Sequence, residues 1–167
     1  MDAALKLFCN WLAATPLSLA IQTHGWVIPA LQTIHILGVA IVFSSAVLVN
    51  FRLWRIVDRR EPLDAFARRF LPTIWPTLLV LLGTGALLII AEPKRSLQNT
   101  TFYLKMAMLF AAIGITAGLQ WTLTVHPDHF ESSRIRRALS LGAALLSTLV
   151  WSGVLIAGRW IAYTRVG

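Results

Sequence analysis

A histidine and a lysine lie inside apolar stretches of this sequence, where ionisable side chains are rare. His35 follows Gln32 by three residues in "ALQTIHILGVAIVF", and Lys105 occurs in "TFYLKMAMLF". A charged side chain at the centre of a membrane helix costs roughly 2.5 to 3.5 kcal/mol on insertion scales, so such residues point to function by default. Imidazole is a metal ligand, and an ammonium group can bind acidic groups. These two residues are therefore the first candidates for chemistry.

The helical spacing around His35 defines one polar face. Residues three apart share a face of a helix, so Gln32, His35 and Gly38 form a stripe that a bulky flat group could approach closely. The alternative is a neutral imidazole that is hydrogen-bonded to a carbonyl or hydroxyl of a neighbouring helix. His24 lies eleven residues before His35, which predicts nearly the same direction at the membrane surface. It is a second candidate metal ligand, or else an interfacial polar residue.

Two cations lie closer to the membrane surface than His35. Lys105 is about one turn inside its apolar segment, and Arg159 is near the end of the last one. An inward-facing Lys105 would place a positive charge about 9 Å above His35, roughly the distance from a haem iron to its propionates. The pattern predicts a cradle for a haem-like macrocycle with His35 as axial ligand and no obvious second one. The alternative for Lys105 is snorkelling of the ammonium to the headgroups.

The elements that position these residues are apolar helices. The chain has 167 residues, of which 57% are hydrophobic and 13% charged, against roughly a quarter charged in soluble domains. Four segments reach the ~20 residues that span a bilayer: residues 26–51, 71–91, 101–125 and 138–162. We predict an all-α, integral membrane four-helix bundle that forms a single domain over residues 1–167. Residues 3–21 are expected to form a short interfacial amphipathic helix broken at Pro16, and Pro72 and Pro76 to open the second span.

The positive charges lie mainly between the spans. Nine of the fifteen basic residues flank the first and third connections, which places these connections in the cytoplasm and the termini in the periplasm of a bacterial inner membrane. The net charge of +8 is thus a topology signal, and we expect the lipid bilayer and no nucleic acid as partner. The arginine-rich first connection either rests on anionic headgroups or is a solvated connector.

Several other chemistries lack support in the sequence. It has no glycine-rich phosphate loop, no paired carboxylates within a span and a single cysteine, Cys9, which excludes an intramolecular disulfide. His126 and His129 lie three residues apart in "TVHPDHFESS". We interpret this segment mainly as a polar loop, with a weak transition-metal site as the alternative.

The order of these motifs resembles known families. "WLAATPLSLAIQTHGWVIPALQTIHILGVAIV", "FRLWR", "LLGTGALL" and "FYLKMAMLF" are similar, over nearly the whole chain, to a large set of uncharacterised four-span bacterial membrane proteins. More distantly, "HILG", "FRLWR" and the "LK" pair resemble the oxygen-independent membrane protoporphyrinogen oxidases and the copper-resistance membrane proteins of the CopD type. The resemblance to the oxidases implies that His35 and Lys105 are functional and that the protein holds haem b.

Three functional hypotheses follow. The leading one is a membrane protein that binds a haem b-like cofactor and exchanges electrons with the quinone pool or a periplasmic redox protein. His35 would be the axial ligand, Gln32 its hydrogen-bonding neighbour, and Lys105 and Arg159 the propionate partners. The second hypothesis is a copper-handling protein, in which His24, Met106 and Met108 take soft metal from the periplasm or from a periplasmic metal-binding protein. The third is a non-catalytic subunit whose small-residue helix faces serve assembly or homo-oligomerisation.

Overall fold

The computed structural model describes residues 3–56, 63–125, 134–161 and 163, with the backbone alone for Asp64 and Thr124. These residues form seven helices, which confirms the predicted all-α class. The helices are α1 (Ala3–Ala13), α2 (Pro16–Thr23), α3 (Val27–Leu53), α4 (Leu63–Ala91), α5 (Pro93–Leu97), α6 (Thr100–Val125) and α7 (Arg134–Trp160). The long helices α3, α4, α6 and α7 are each apolar and long enough to cross a membrane. The protein is therefore a multi-pass membrane protein.

The helix that contains the second span begins before the predicted start of that span. Helix α4 starts at Leu63 and continues to Ala91, so Pro72 and Pro76 lie inside the helix and not in its first turn. The predicted location of these prolines in the first turn was wrong. Membrane helices tolerate internal proline because neighbouring groups satisfy the freed carbonyls. In addition, Phe66 and Ala67 are buried in the core, which holds this first part of the helix in place.

The N-terminal segment breaks where Pro16 predicts a break. Helices α1 and α2 meet at an angle of 63°, and together they are apolar enough for a broken span or a re-entrant segment. Their interfacial location stays a prediction. The hydroxyl of Ser18 donates to the Ile90 carbonyl at 2.7 Å, and the Gln22 amide donates to the Ala91 carbonyl at 3.0 Å. Side chains of α2 thereby satisfy carbonyls at the end of α4.

The four spans pack as a ring in which α3 and α6 each lie beside α4 and α7. We call the membrane face with α1, α2, α5 and the end of α7 the terminus side, and the face where α3 ends the loop side. The buried hydrophobic cluster extends from the loop side to about the level of Trp151 and includes Val42, Ala67, Ile74 and Leu123. The cluster thus fills the loop-side half of the bundle and reaches into the terminus-side half at Trp151.

Candidate functional site

His35 of α3 is held by a hydroxyl of α4. Its Nδ1 atom lies 2.8 Å from Oγ1 of Thr84. The Thr84 hydroxyl donates its only hydrogen to the Val80 carbonyl, at 2.8 Å, in the usual bond of a helical threonine to the preceding turn. The hydroxyl can therefore only accept from His35, so the proton of the neutral imidazole is assigned to Nδ1. This is the alternative in which a neighbouring hydroxyl binds the imidazole.

The same bond leaves the other ring nitrogen chemically available. With the proton on Nδ1, the Nε2 atom of His35 carries a lone pair and makes no hydrogen bond to the described residues. Metal-binding histidines usually have this arrangement, with one nitrogen donating to a neighbouring oxygen and the other free to coordinate. A Cβ atom on Gly85 would lie 3.4 Å from Cε1 of His35, so the imidazole rests against glycine backbone on α4. The ring is thus oriented by two contacts from one helix.

Lys105 of α6 packs against α7. Its side chain is half-buried, and a Cβ atom on Gly158 of α7 would lie 3.6 Å from Cε and 3.7 Å from Nζ. Within residues 3–56, 63–125 and 134–161, the ammonium has no ion pair or hydrogen bond. The structure thus packs Lys105 against α7 and His35 against α4.

His35 and Lys105 both lie in the terminus-side half of the bundle. His35 is about 12 Å along α3 and Lys105 about 7.5 Å along α6, both from the terminus side, at 1.5 Å per residue. Their depths therefore differ by about 4.5 Å, which is half of the predicted offset of about 9 Å. Buried residues of α7, Val154 and Ala157, lie in the same half.

Three other predicted site residues are exposed or in contact with other side chains. Gln32 is exposed, and the bond to His35 comes from Thr84. Gly38 is buried, but a Cβ atom there would lie 2.9 Å from Cδ2 of Leu81, so its surface is closed by α4 and cannot receive a flat group. Arg159 is exposed, and its guanidinium donates to the Tyr163 hydroxyl at 2.9 Å. Its neighbour Gly158, about 100° around the helix, faces Lys105.

The structure also separates His24 from His35. His24 terminates α2 with extended backbone, φ −98° and ψ 93°, while α3 begins at Val27. The predicted alignment of both histidines on one helix face was therefore wrong, because the helix does not extend back that far. The His24 ring lies 2.8 Å from the Ala20 carbonyl, and Met108 packs against Gly153. The described residues contain no group of three His, Cys, Asp or Glu side chains that could hold a metal, and His126 and His129 lie outside them.

Sequence reasoning missed Thr84, Gly85 and Gly158 as parts of the site. A signal for the first two exists in "GTGALL", where a hydroxyl lies between two glycines within a span. The pattern predicts close helix contact, which the structure confirms at Gly85. However, it does not say which residue of α3 the hydroxyl meets.

Comparison with known proteins gives a family and no activity. A family model described as "Family of unknown function (DUF6644)" matches residues 8–164. No curated protein and no solved structure matches the chain.

Proposed function

Because the chain belongs to the DUF6644 family, whose function is unknown, we propose its function from the site itself: it binds a haem b-like cofactor between its spans and has a redox or electron-transfer role. The observation that carries this proposal is the 2.8 Å contact between Nδ1 of His35 and the Thr84 hydroxyl, which supports a lone pair on Nε2. Lys105, which has no ion pair within the described residues, lies in the same half of the bundle.

The residues present fit such a group in part. His35 supplies one axial ligand with a fixed tautomer, and Lys105 supplies a cation for an acidic substituent. Arg159 and Gly38 are engaged elsewhere, so we leave them out of the proposed cradle. A bound haem would supply one-electron transfer, and the protein would tune it through the Thr84 bond and the charge of Lys105. A periplasmic redox protein or the quinone pool is the proposed electron partner.

The test is a visible spectrum of the protein purified in mild detergent, oxidised and dithionite-reduced. We expect a Soret band and a reduced alpha band that are lost in His35→Ala and retained in His24→Ala. His24 is the matched control because it is an exposed histidine outside the spans. A colourless wild-type protein that does not bind added hemin would refute the proposal and reduce His35 to a structural hydrogen bond.

Lys105 can be tested separately from coordination. Lys105→Met keeps the length of the stem and removes the charge, so we expect weaker retention of hemin with an unchanged band position. Lys94→Met, at an exposed position of helix α5, is the control. Equal retention by both variants would remove Lys105 from the binding site.

A second candidate function is assembly with another membrane chain or with a second copy. It is favoured by a stripe of small, exposed residues on α6, where Cβ atoms added to Gly114 and Gly118 would meet nothing within 4 Å. A G-x-x-x-G stripe permits close helix packing. We expect Gly118→Leu to lower the oligomer mass measured by light scattering in detergent, while Gly83→Leu, also at an open glycine, leaves it unchanged. An unchanged mass in both variants would contradict an assembly role for this stripe.

We further propose that the protein lies in the bacterial inner membrane with both termini periplasmic, on the basis of the distribution of its basic residues. In a Cys9→Ala background, an impermeant thiol reagent applied to intact cells should label Trp26→Cys and spare Ile56→Cys. Both positions are exposed and lie at opposite ends of α3. The reverse pattern would invert the topology.

A further inference from the structure

The loop-side core contains a small cavity lined by both polar and apolar side chains. Its volume is about 10 Å³, and four apolar residues line it together with Asn50, Thr116 and Ser147. The three polar residues come from α3, α6 and α7 and are only 1%, 4% and 1% exposed. Buried polar groups require partners, so this enclosure in the hydrophobic core calls for an explanation.

Each of the three side chains has hydrogen-bonding capacity that the described residues do not use. The Asn50 amide donates to Thr148 at 3.0 Å, which leaves its carbonyl oxygen as a free acceptor. Thr116 accepts from the Trp151 indole at 3.1 Å, which leaves its own hydroxyl hydrogen. Ser147 makes no hydrogen bond to the described residues, so it can donate or accept.

We propose that this cavity binds one ordered water molecule that joins α3, α6 and α7. A cavity of about 10 to 15 Å³ holds one water, and a buried water typically makes about three hydrogen bonds. Here the water accepts from the Thr116 and Ser147 hydroxyls and donates to the Asn50 carbonyl. The water site is independent of His35 and Lys105, which lie in the other half of the bundle.

The first test is an experimental structure of the full chain at a resolution that resolves ordered solvent. We expect density for one water within hydrogen-bond distance of Asn50, Thr116 and Ser147. An empty cavity in a map that resolves other buried waters would overturn the proposal.

The second test uses the sign of a stability change. In a hydrated cavity, Ser147→Ala removes a partner of the water and lowers the melting temperature. In a dry cavity, the same change removes an unpaired buried hydroxyl and leaves the melting temperature unchanged or raises it. Ser44→Ala, on the exposed face of α3, corrects for the effect of serine removal from a helix. A melting temperature at or above that of this control would overturn the proposal.

Discussion

Replacement of Thr84 with valine removes one hydroxyl and keeps the shape of the side chain, which isolates the bond to His35. The bond is 2.8 Å long and joins α3 to α4. Hydrogen bonds between membrane helices average about 0.6 kcal/mol and reach about 1.7 kcal/mol. In the variant, the buried Nδ1–H of His35 loses its hydrogen-bond partner, which adds about 1 kcal/mol or more to the loss of stability. We expect the free energy of unfolding to fall by about 1 to 2 kcal/mol, which raises the equilibrium constant for unfolding approximately tenfold.

The matched control is Thr77→Val on the same helix. Thr77 makes the same local bond, to the Thr73 carbonyl at 2.7 Å, but no hydrogen bond to the described residues of another helix. Reversible unfolding in mixed detergent micelles measures both variants. A double-mutant cycle that combines Thr84→Val with His35→Ala isolates the coupling between the two side chains.

The tautomer provides the decisive measurement. Nitrogen NMR of histidine-labelled protein should show Nδ1 protonated and Nε2 unprotonated in the wild type, and a mixture of tautomers in Thr84→Val. A wild-type spectrum with the proton on Nε2 would refute the reasoning, because Thr84 would then donate to His35 and the coordinating nitrogen would be blocked. Equal stability of the Thr84 and Thr77 variants would show that the bond contributes nothing.

Three further predictions concern packing. Cys9 is fully buried, so a maleimide should label it only after denaturation; rapid labelling of the native protein would mean that α1 is undocked. Gly38→Ala should destabilise the protein more than Gly83→Ala, because the new Cβ meets a side chain at 2.9 Å at the first position and open space at the second; equal melting temperatures would contradict the close α3–α4 contact. Ser18→Ala should speed hydrogen exchange at the end of α4, where its hydroxyl binds a carbonyl, whereas Thr23→Ala, which removes only a local bond, should not.

The number and type of the spans could be predicted because hydropathy over twenty residues does not depend on tertiary contacts. All four predicted spans overlap α3, α4, α6 and α7. The beginning of α4 could not be predicted, since proline in a soluble helix marks a first turn or a break, and in this helix packing of Phe66 and Ala67 overrides that preference. Local rules therefore fail where burial decides the boundary.

The sequence predicts the depth of His35 and Lys105 in the membrane, and the structure places both in the same half of the bundle. Their pairing in one site stays a prediction. The rotation of each helix about its own axis is set by its packing against neighbouring helices and cannot be predicted from one sequence. For that reason the sequence favoured Arg159, while the structure turns Gly158 towards Lys105.

The two internal prolines of α4 have a mechanical consequence. Pro72 and Pro76 each lack an N–H, so two successive turns of the helix are held by fewer backbone hydrogen bonds. On one side of them the helix is anchored by Phe66 and Ala67, and on the other it carries Thr84. Bending at this compliant segment would move the Thr84 hydroxyl relative to His35 and leave the loop-side anchor in place. The hydrogen bond to His35 and the bonds from Ser18 and Gln22 to the end of α4 would all oppose such bending.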